Sequence, residues 1–298
     1  MTRNEITRRQ LIGGLAAAGL VGLPAFTRRG EAAEKEKKKG NPQLSACIEA
    51  VFRTDPRHEA LDKVAESGLK VYEFWGFGNK DLDAFARKNK ELGLKTAIFS
   101  CDSGGALVAP GSDEKFVGGA KRSIEAAKKL DCNRLIVTVG QERDDIPRAE
   151  QHANIVKACK AVAPLFEDAG MILCIEPLNV LVNHKGYFLY SSKEGFEIVD
   201  EVGSPNVKIL FDIYHQQISE GNVIRNITNN IDKIGHFHVA DVPGRHQPGT
   251  GEINYHNVFK AIAESGYDAY LGLEMWPTGD NMTAVKHTKE IFDKAVAA

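Results

Sequence analysis

The chain has 298 residues, enough for one large domain such as a complete α/β barrel of about 250 residues. Its 43% hydrophobic and 26% charged residues exclude a disordered or collagen-like polymer. A formal net charge of −2 excludes the strongly basic balance of a nucleic-acid-binding surface. The five cysteines, Cys47, Cys101, Cys132, Cys159 and Cys174, show no close metal-type pairing. Several fall in apolar runs, so they read as small buried hydrophobes rather than as a disulfide framework.

The N-terminus differs from the body. Residues 11–23 form an apolar run rich in Gly and Ala. It is shorter than the roughly 20 residues of a spanning helix and matches the apolar part of an export signal. Arg8 and Arg9 precede it, and the segment resembles a twin-arginine signal. That resemblance implies the twin-arginine export machinery as a partner and a periplasmic or other extracytoplasmic location; the alternative is a retained N-terminal membrane anchor. The organisation expected is a signal over 1–33, a solvated linker with its EKEKKKG run over 34–43, and a catalytic domain over 44–298. Loss of residues 1–33 removes five basic and two acidic residues and takes the net charge from −2 to −5.

From residue 44 strands and helices alternate. A strand over 44–52 precedes a helix over 58–67, and a strand over 70–76 (KVYEFWG) a helix over 80–92. The third strand spans 95–102 and its helix 114–130; the fourth spans 134–140, and its helix runs from Pro147 to 169. Strand five covers 171–178, with a helix over 191–202 whose Ser-Ser-Lys-Glu start resembles a capping box. Strand six covers 207–215 and its helix 218–231; strand seven covers 234–241 and its helix 255–265. Strand eight spans 270–277, and a last helix reaches the C-terminus. Eight strand–helix units are the count of a (β/α)8 TIM barrel, with an open doubly wound sheet as the other arrangement. No Gly-x-Gly-x-x-Gly turn follows the first strand to support a dinucleotide-binding sheet.

Four of these strands carry a costly group near their C-terminal ends: Glu176, Asp212, His238 and Glu274. Carboxylates in buried strands are expensive unless paired or metal-bound. In a barrel these strand ends adjoin around the ring at the face that carries active sites. Three carboxylates and one imidazole make a hard, oxygen-rich set, suited to Mn2+ or Mg2+. His236 lies on the face of His238 and reads as a hydrogen-bonded core histidine, with Asp241 as a supporting carboxylate. His215 is placed to bond a substrate hydroxyl or to cap a helix; Arg245, in a Gly/Pro-rich loop, to bind a carboxylate or to pin the loop to Glu252. Trp75 offers an apolar wall, and Lys185 lies in a segment after strand five that could close over the site.

The segments IEPLN, GYFL, FDIYHQQ, residues 234–255 (IGHFHVADVPGRHQPGTGEINY) and GLEMWP resemble the hydroxypyruvate isomerase family of the xylose isomerase-like barrels. The resemblance runs from about residue 44 to the C-terminus and is densest after 172. It implies one divalent metal held by Glu176, Asp212, His238 and Glu274, with Glu176 and Glu274 also moving protons. The substrate implied is a small hydroxy-aldehyde or ketone, either hydroxypyruvate/tartronate semialdehyde or a sugar, interconverted through an enediolate. Ketose 3-epimerase and sugar or inosose dehydratase chemistry use the same kind of site. An exported sugar-binding barrel without turnover is the reading from another class. The oligomeric state, homo-oligomer included, is left open.

Overall fold

The computed structural model describes residues 38–298, so the expected signal and the first four residues of the linker lie outside the described residues. The strands are β1 (Gln43–Cys47), β2 (Val71–Glu73), β3 (Lys95–Thr96), β4 (Phe99–Ser100), β5 (Arg134–Val137), β6 (Ile172–Ile175), β7 (Val207–Asp212), β8 (Ile234–His238) and β9 (Tyr270–Leu273). The helices are α1 (Ile48–Val51), α2 (Ala60–Glu66), α3 (Leu82–Leu92), α4 (Ser112–Lys129), α5 (Arg148–Ala169), α6 (Ser192–Val202), α7 (Ile213–Ser219), α8 (Val223–Asn229), α9 (Tyr255–Glu264) and α10 (Asn281–Ala297).

The strands pair in parallel in the order β3-β2-β1-β9-β8-β7-β6-β5-β4. The two ends of that order, β3 and β4, are consecutive pieces of one stretch joined by Ala97 and Ile98. The Ala97 N–H donates to Tyr72 O at 2.8 Å on one side, and the Cys101 N–H donates to Ile136 O at 2.6 Å on the other. The third strand is thus split where it changes partners, and the sheet closes on itself through it. An open doubly wound sheet would leave two separate edges; this chain forms a barrel.

Side chains alternate across the barrel wall, as the pleat demands. Along β7, Ile209 and Phe211 join the large apolar cluster packed beneath the helices, while Leu210 joins a small interior cluster with Val71, Ala97, Ile98, Ile136 and Cys174. Asp212 shares the face of Leu210. On β8 the alternation is reset by a bulge: Ile209 pairs Ile234, but Leu210 pairs His236. A Cβ on Gly235 would stand 2.6 Å from Cys174 Sγ, so Gly235 faces the interior. The extra residue lets His236 and His238 face inward as well. All five cysteines are buried and free.

Three expectations are corrected. The strand expected over 207–215 stops at Asp212, whose carboxylate accepts the His215 N–H at 3.1 Å and caps α7. The helix expected over 218–231 is two helices, interrupted where Gly221 and Asn222 take left-handed backbone (φ 63° and 51°). The capping box at residue 191 does not form: Ser191 makes no capping bond, and the Ser192 N–H donates to Glu220 Oε1 at 2.8 Å instead.

Gly235→Ala is expected to destabilise the protein by about 1–3 kcal/mol, the usual cost of overpacking a closed core. Adding Cys174→Ala should recover part of that loss, because Sγ is the nearest atom in the way. Urea denaturation of the single and double variants measures both effects.

Candidate active site

The four strand-end residues converge at the mouth of the barrel. Asp212 and His238 are the last residues of β7 and β8, and Glu176 and Glu274 directly follow β6 and β9, neighbours around the ring. All four are buried. His238 Nδ1 lies 3.1 Å from Glu274 Oε2, 3.3 Å from Glu176 Oε1 and 3.9 Å from Asp212 Oδ2. One ligand atom from each of the four lies within 4.8 Å of all the others, a group able to hold a metal ion. The donor chemistry fits a divalent cation: three carboxylates withdrawn from water repel one another until a positive charge stands between them.

The proton affinities report that field. Burial works against a charged His238, but Glu274 and Glu73 outweigh it and raise the imidazole well above its usual range. Burial, only partly offset by the contact with His238, pushes Glu176 up to about 7. Glu274 is equally buried, yet the Arg245 guanidinium and His238 drive it below the usual carboxylate range. Two glutamates meeting on one ring nitrogen therefore hold protons very differently.

Arg245 reaches the site from the loop after β8. Its Nη2 lies 3.1 Å from Asp212 Oδ2 and also bonds Glu274 Oε2. Its guanidinium lies over the rings of Trp276 and Tyr214, 5.1 and 5.2 Å from their centres. It does not pin the loop to Glu252, whose carboxylate meets Gln217. The loop is held by Asp241 instead. That buried carboxylate accepts four backbone N–H groups, from Val242, Gly249, Gly251 and Ile253, at 2.9–3.0 Å. Asp241 thus acts on the loop that delivers Arg245, and Arg245 itself takes left-handed backbone (φ 59°), a conformation non-glycine residues adopt at a cost.

A cavity of about 390 Å3 opens over these residues, lined by Trp75, Trp276, Ser100, Thr138, His184 and His215 among others. Trp75 does more than form an apolar wall: its indole N–H donates to Glu274 Oε1 at 2.7 Å. His215 sits on α7 with Nδ1 accepting the Asn179 N–H at 3.2 Å, which leaves Nε2 to carry the proton, 3.5 Å from Asp212 Oδ2. Burial lowers its pKa to about 4, so it is a neutral donor. Lys185 is exposed in a turn and absent from the cavity lining; its neighbour His184 stands there instead. His236 is fully buried, with Nε2 3.0 Å from Glu73 Oε2.

Two acids escaped the sequence reading. Glu73, at the end of β2, is buried against His236 and His238. Glu49 pairs with Lys80 at 2.7 Å, both buried, and accepts the Trp75 N–H at 3.2 Å. Each sits in an apolar run (IEAVF, KVYEFWG), the sign that singles out Glu176 and Glu274.

The model of the xylose isomerase-like TIM barrel family matches residues 61–295. Hydroxypyruvate isomerase of Escherichia coli (strain K12) is 31% identical over 242 residues, which cover 79% of this chain and 93% of that protein. The 2-oxo-tetronate isomerase of Cupriavidus necator is 32% identical over 247 residues, covering 79% of this chain and 93% of that one. The crystal structure of an AP endonuclease, family 2, from Brucella melitensis superposes with a TM-score of 0.79 at 27% identity, covering 84% of this chain and 98% of that chain. The chain belongs to the hydroxypyruvate isomerase family of xylose isomerase-like TIM barrels, and it is an isomerase.

Proposed function

We propose that the protein is a metal-dependent isomerase that interconverts a small hydroxy-aldehyde and hydroxy-ketone, hydroxypyruvate/tartronate semialdehyde or a sugar, through an enediolate. The observation that carries this reading is the meeting of Glu176 and Glu274 at one ring nitrogen of His238, 3.3 and 3.1 Å from it, in environments that push the two carboxyls' proton affinities apart. Glu274, kept ionised by Arg245 and oriented by the Trp75 N–H, takes the proton from the hydroxyl-bearing carbon. The electron pair moves into the carbon–carbon bond as the carbonyl pair moves onto its oxygen. Glu176, which holds a proton near neutral pH, gives it to the former carbonyl carbon, and the hydroxyl proton passes to the former carbonyl oxygen, which leaves the isomeric carbonyl and a new hydroxyl. The reverse reaction exchanges the two roles. Arg245 and the Nε2–H of His215 meet the substrate oxygens. A divalent ion held by Glu176, Asp212, His238 and Glu274 would polarise the carbonyl and its neighbouring hydroxyl and acidify the proton between them. The oxygen-rich donors favour Mn2+ or Mg2+. An epimerase would use the same two glutamates to return the proton to the same carbon.

Candidate substrates incubated in D2O with Mn2+ and followed by NMR test the reading. Deuterium arriving on the carbon next to the one deprotonated supports the isomerase; deuterium on the same carbon with inverted configuration supports the epimerase; no exchange with any substrate would leave only a binding barrel. EDTA should abolish turnover, and Glu274→Gln should lower kcat by roughly 10²–10⁴-fold. Glu176→Gln should lose turnover similarly yet gain stability. The Glu176 carboxyl titrates higher in the fold than its ordinary 4.5, so ionisation costs folding free energy, a cost absent below about pH 4.5 and full above about pH 7. In chelator-treated protein the Glu176→Gln variant should therefore melt above wild type at pH 8 and level with it near pH 4.5.

The Arg8-Arg9 pair and the apolar run after it support export by the twin-arginine route, which carries folded proteins. The metal ligands come from four strands, so the ion is bound only once the barrel has folded, before export. Outside, tighter-binding Zn2+ or Cu2+ would compete at an equilibrating site. Arg8→Lys/Arg9→Lys is expected to leave active, metal-loaded protein in the cytoplasm, read by activity and metal content in fractionated cells. Normal delivery of the variant outside would sink the twin-arginine reading.

A further inference from the structure

The second buried titratable cluster lies directly behind the first. Glu73, His236 and His238 bring their donor atoms within 4.8 Å of one another, and all three are buried. Glu73 divides its carboxylate between the two rings. Oε2 stands 3.0 Å from His236 Nε2 in hydrogen-bonding geometry, and Oε1 stands 3.0 Å from His238 Nε2, two buried atoms with no other hydrogen-bond partner among the described residues. His238 therefore bridges the clusters: Nδ1 faces Glu176, Asp212 and Glu274, and Nε2 faces, among the carboxylates of the described residues, Glu73 alone.

A neutral imidazole has one N–H and one lone pair, and what lies beside one nitrogen decides the state of the other. A metal ligand must present a lone pair at Nδ1, which requires the proton at Nε2. We propose that Glu73 is the positioning residue of the metal centre: its carboxylate accepts the Nε2 proton of His238 and so turns the Nδ1 lone pair toward Glu176, Asp212 and Glu274. The inference rests on the metal-dependent reading above.

Three further features support it. An ionised carboxylate can only accept, so it selects one tautomer where water or a hydroxyl would allow either. With Glu73 and His238 only 2% and 3% exposed, little water reaches Nε2 to compete. The fold also makes room for the acid. Gly272 on β9 lies against Glu73, and a Cβ there would collide with both carboxylate oxygens, so β9 is bare where β2 inserts its charge. His236, bonded to the other oxygen, keeps the carboxylate from turning away. The three residues do not form a second metal site in this reading, because His238 cannot offer lone pairs on both nitrogens without giving up its last proton.

The test uses calorimetric titration of chelator-stripped protein with Mn2+, together with 15N NMR of the ring nitrogens in the Mg2+-loaded wild type. One ion per chain is expected in wild type. Glu73→Gln can turn an amide donor toward Nε2 and trap the wrong tautomer, so the dissociation constant should rise by about 10–100-fold. The wild-type spectrum should show Nε2 of His238 protonated and Nδ1 bare. Equal affinity in Glu73→Gln, an unprotonated Nε2, or two ions per chain would overturn the assignment. If the variant does not fold, the wild-type spectrum decides alone. Wild type that binds no metal removes the metal-dependent reading and this inference with it, whereas metal-binding wild type beside an equally competent variant removes only the role of Glu73.

Discussion

Four carboxylates buried close together are the constraint on which the rest of this structure depends. Glu73, Glu176, Asp212 and Glu274 gather around His238, with His236 and Arg245 as the other cationic or proton-bearing groups. Withdrawing such charges from water is costly, and the cost falls only as positive charge or hydrogen-bond donors are brought to them. Much of the mouth of the barrel follows from that demand. The loop after β8 brings Arg245, the Trp75 indole brings an N–H, and the Glu49–Lys80 pair steadies the backbone on which Trp75 sits. The arrangement is poised for a cation at its centre because every neighbour already answers a surplus of negative charge.

The scaffold separates two duties. Closure of the sheet through the split third strand, and the apolar cluster beneath the helices, maintain the barrel. The Arg245 loop adds a separate hold: the carboxylate of Asp241, three residues past β8, gathers its backbone N–H groups.

The barrel was largely legible because its strands are short apolar runs separated by helical patterns. The four strand-end residues that meet at the mouth were legible for a related reason: a charged group in such a run must have a purpose. Glu73 obeys the same rule, but in KVYEFWG it stands among aromatics and its partner histidines lie more than 160 residues away. The limits of strand six were misread because Asp212 serves at once as the end of a strand and the cap of a helix, and sequence pattern alone does not divide those roles. Gly221 and Asn222 carried a break signal that the flanking helical periodicity concealed. Lys185 and His184 exchanged importance because which of two adjacent turn residues points inward depends on the path of the loop, not on periodicity. The partners of Arg245 were hidden likewise, since its reach is set by Asp241 and by a left-handed backbone.

The chain has two tryptophans, Trp75 and Trp276, and both line the one cavity, with ring centres 6.3 Å apart. One is hydrogen-bonded to Glu274 and the other lies against the Arg245 guanidinium. Intrinsic indole fluorescence from this protein thus has no background from the rest of the fold. Any event that shifts charge between Glu274 and Arg245 changes the electric field across both emitters, so the active site carries its own optical reporter without a label or an engineered probe.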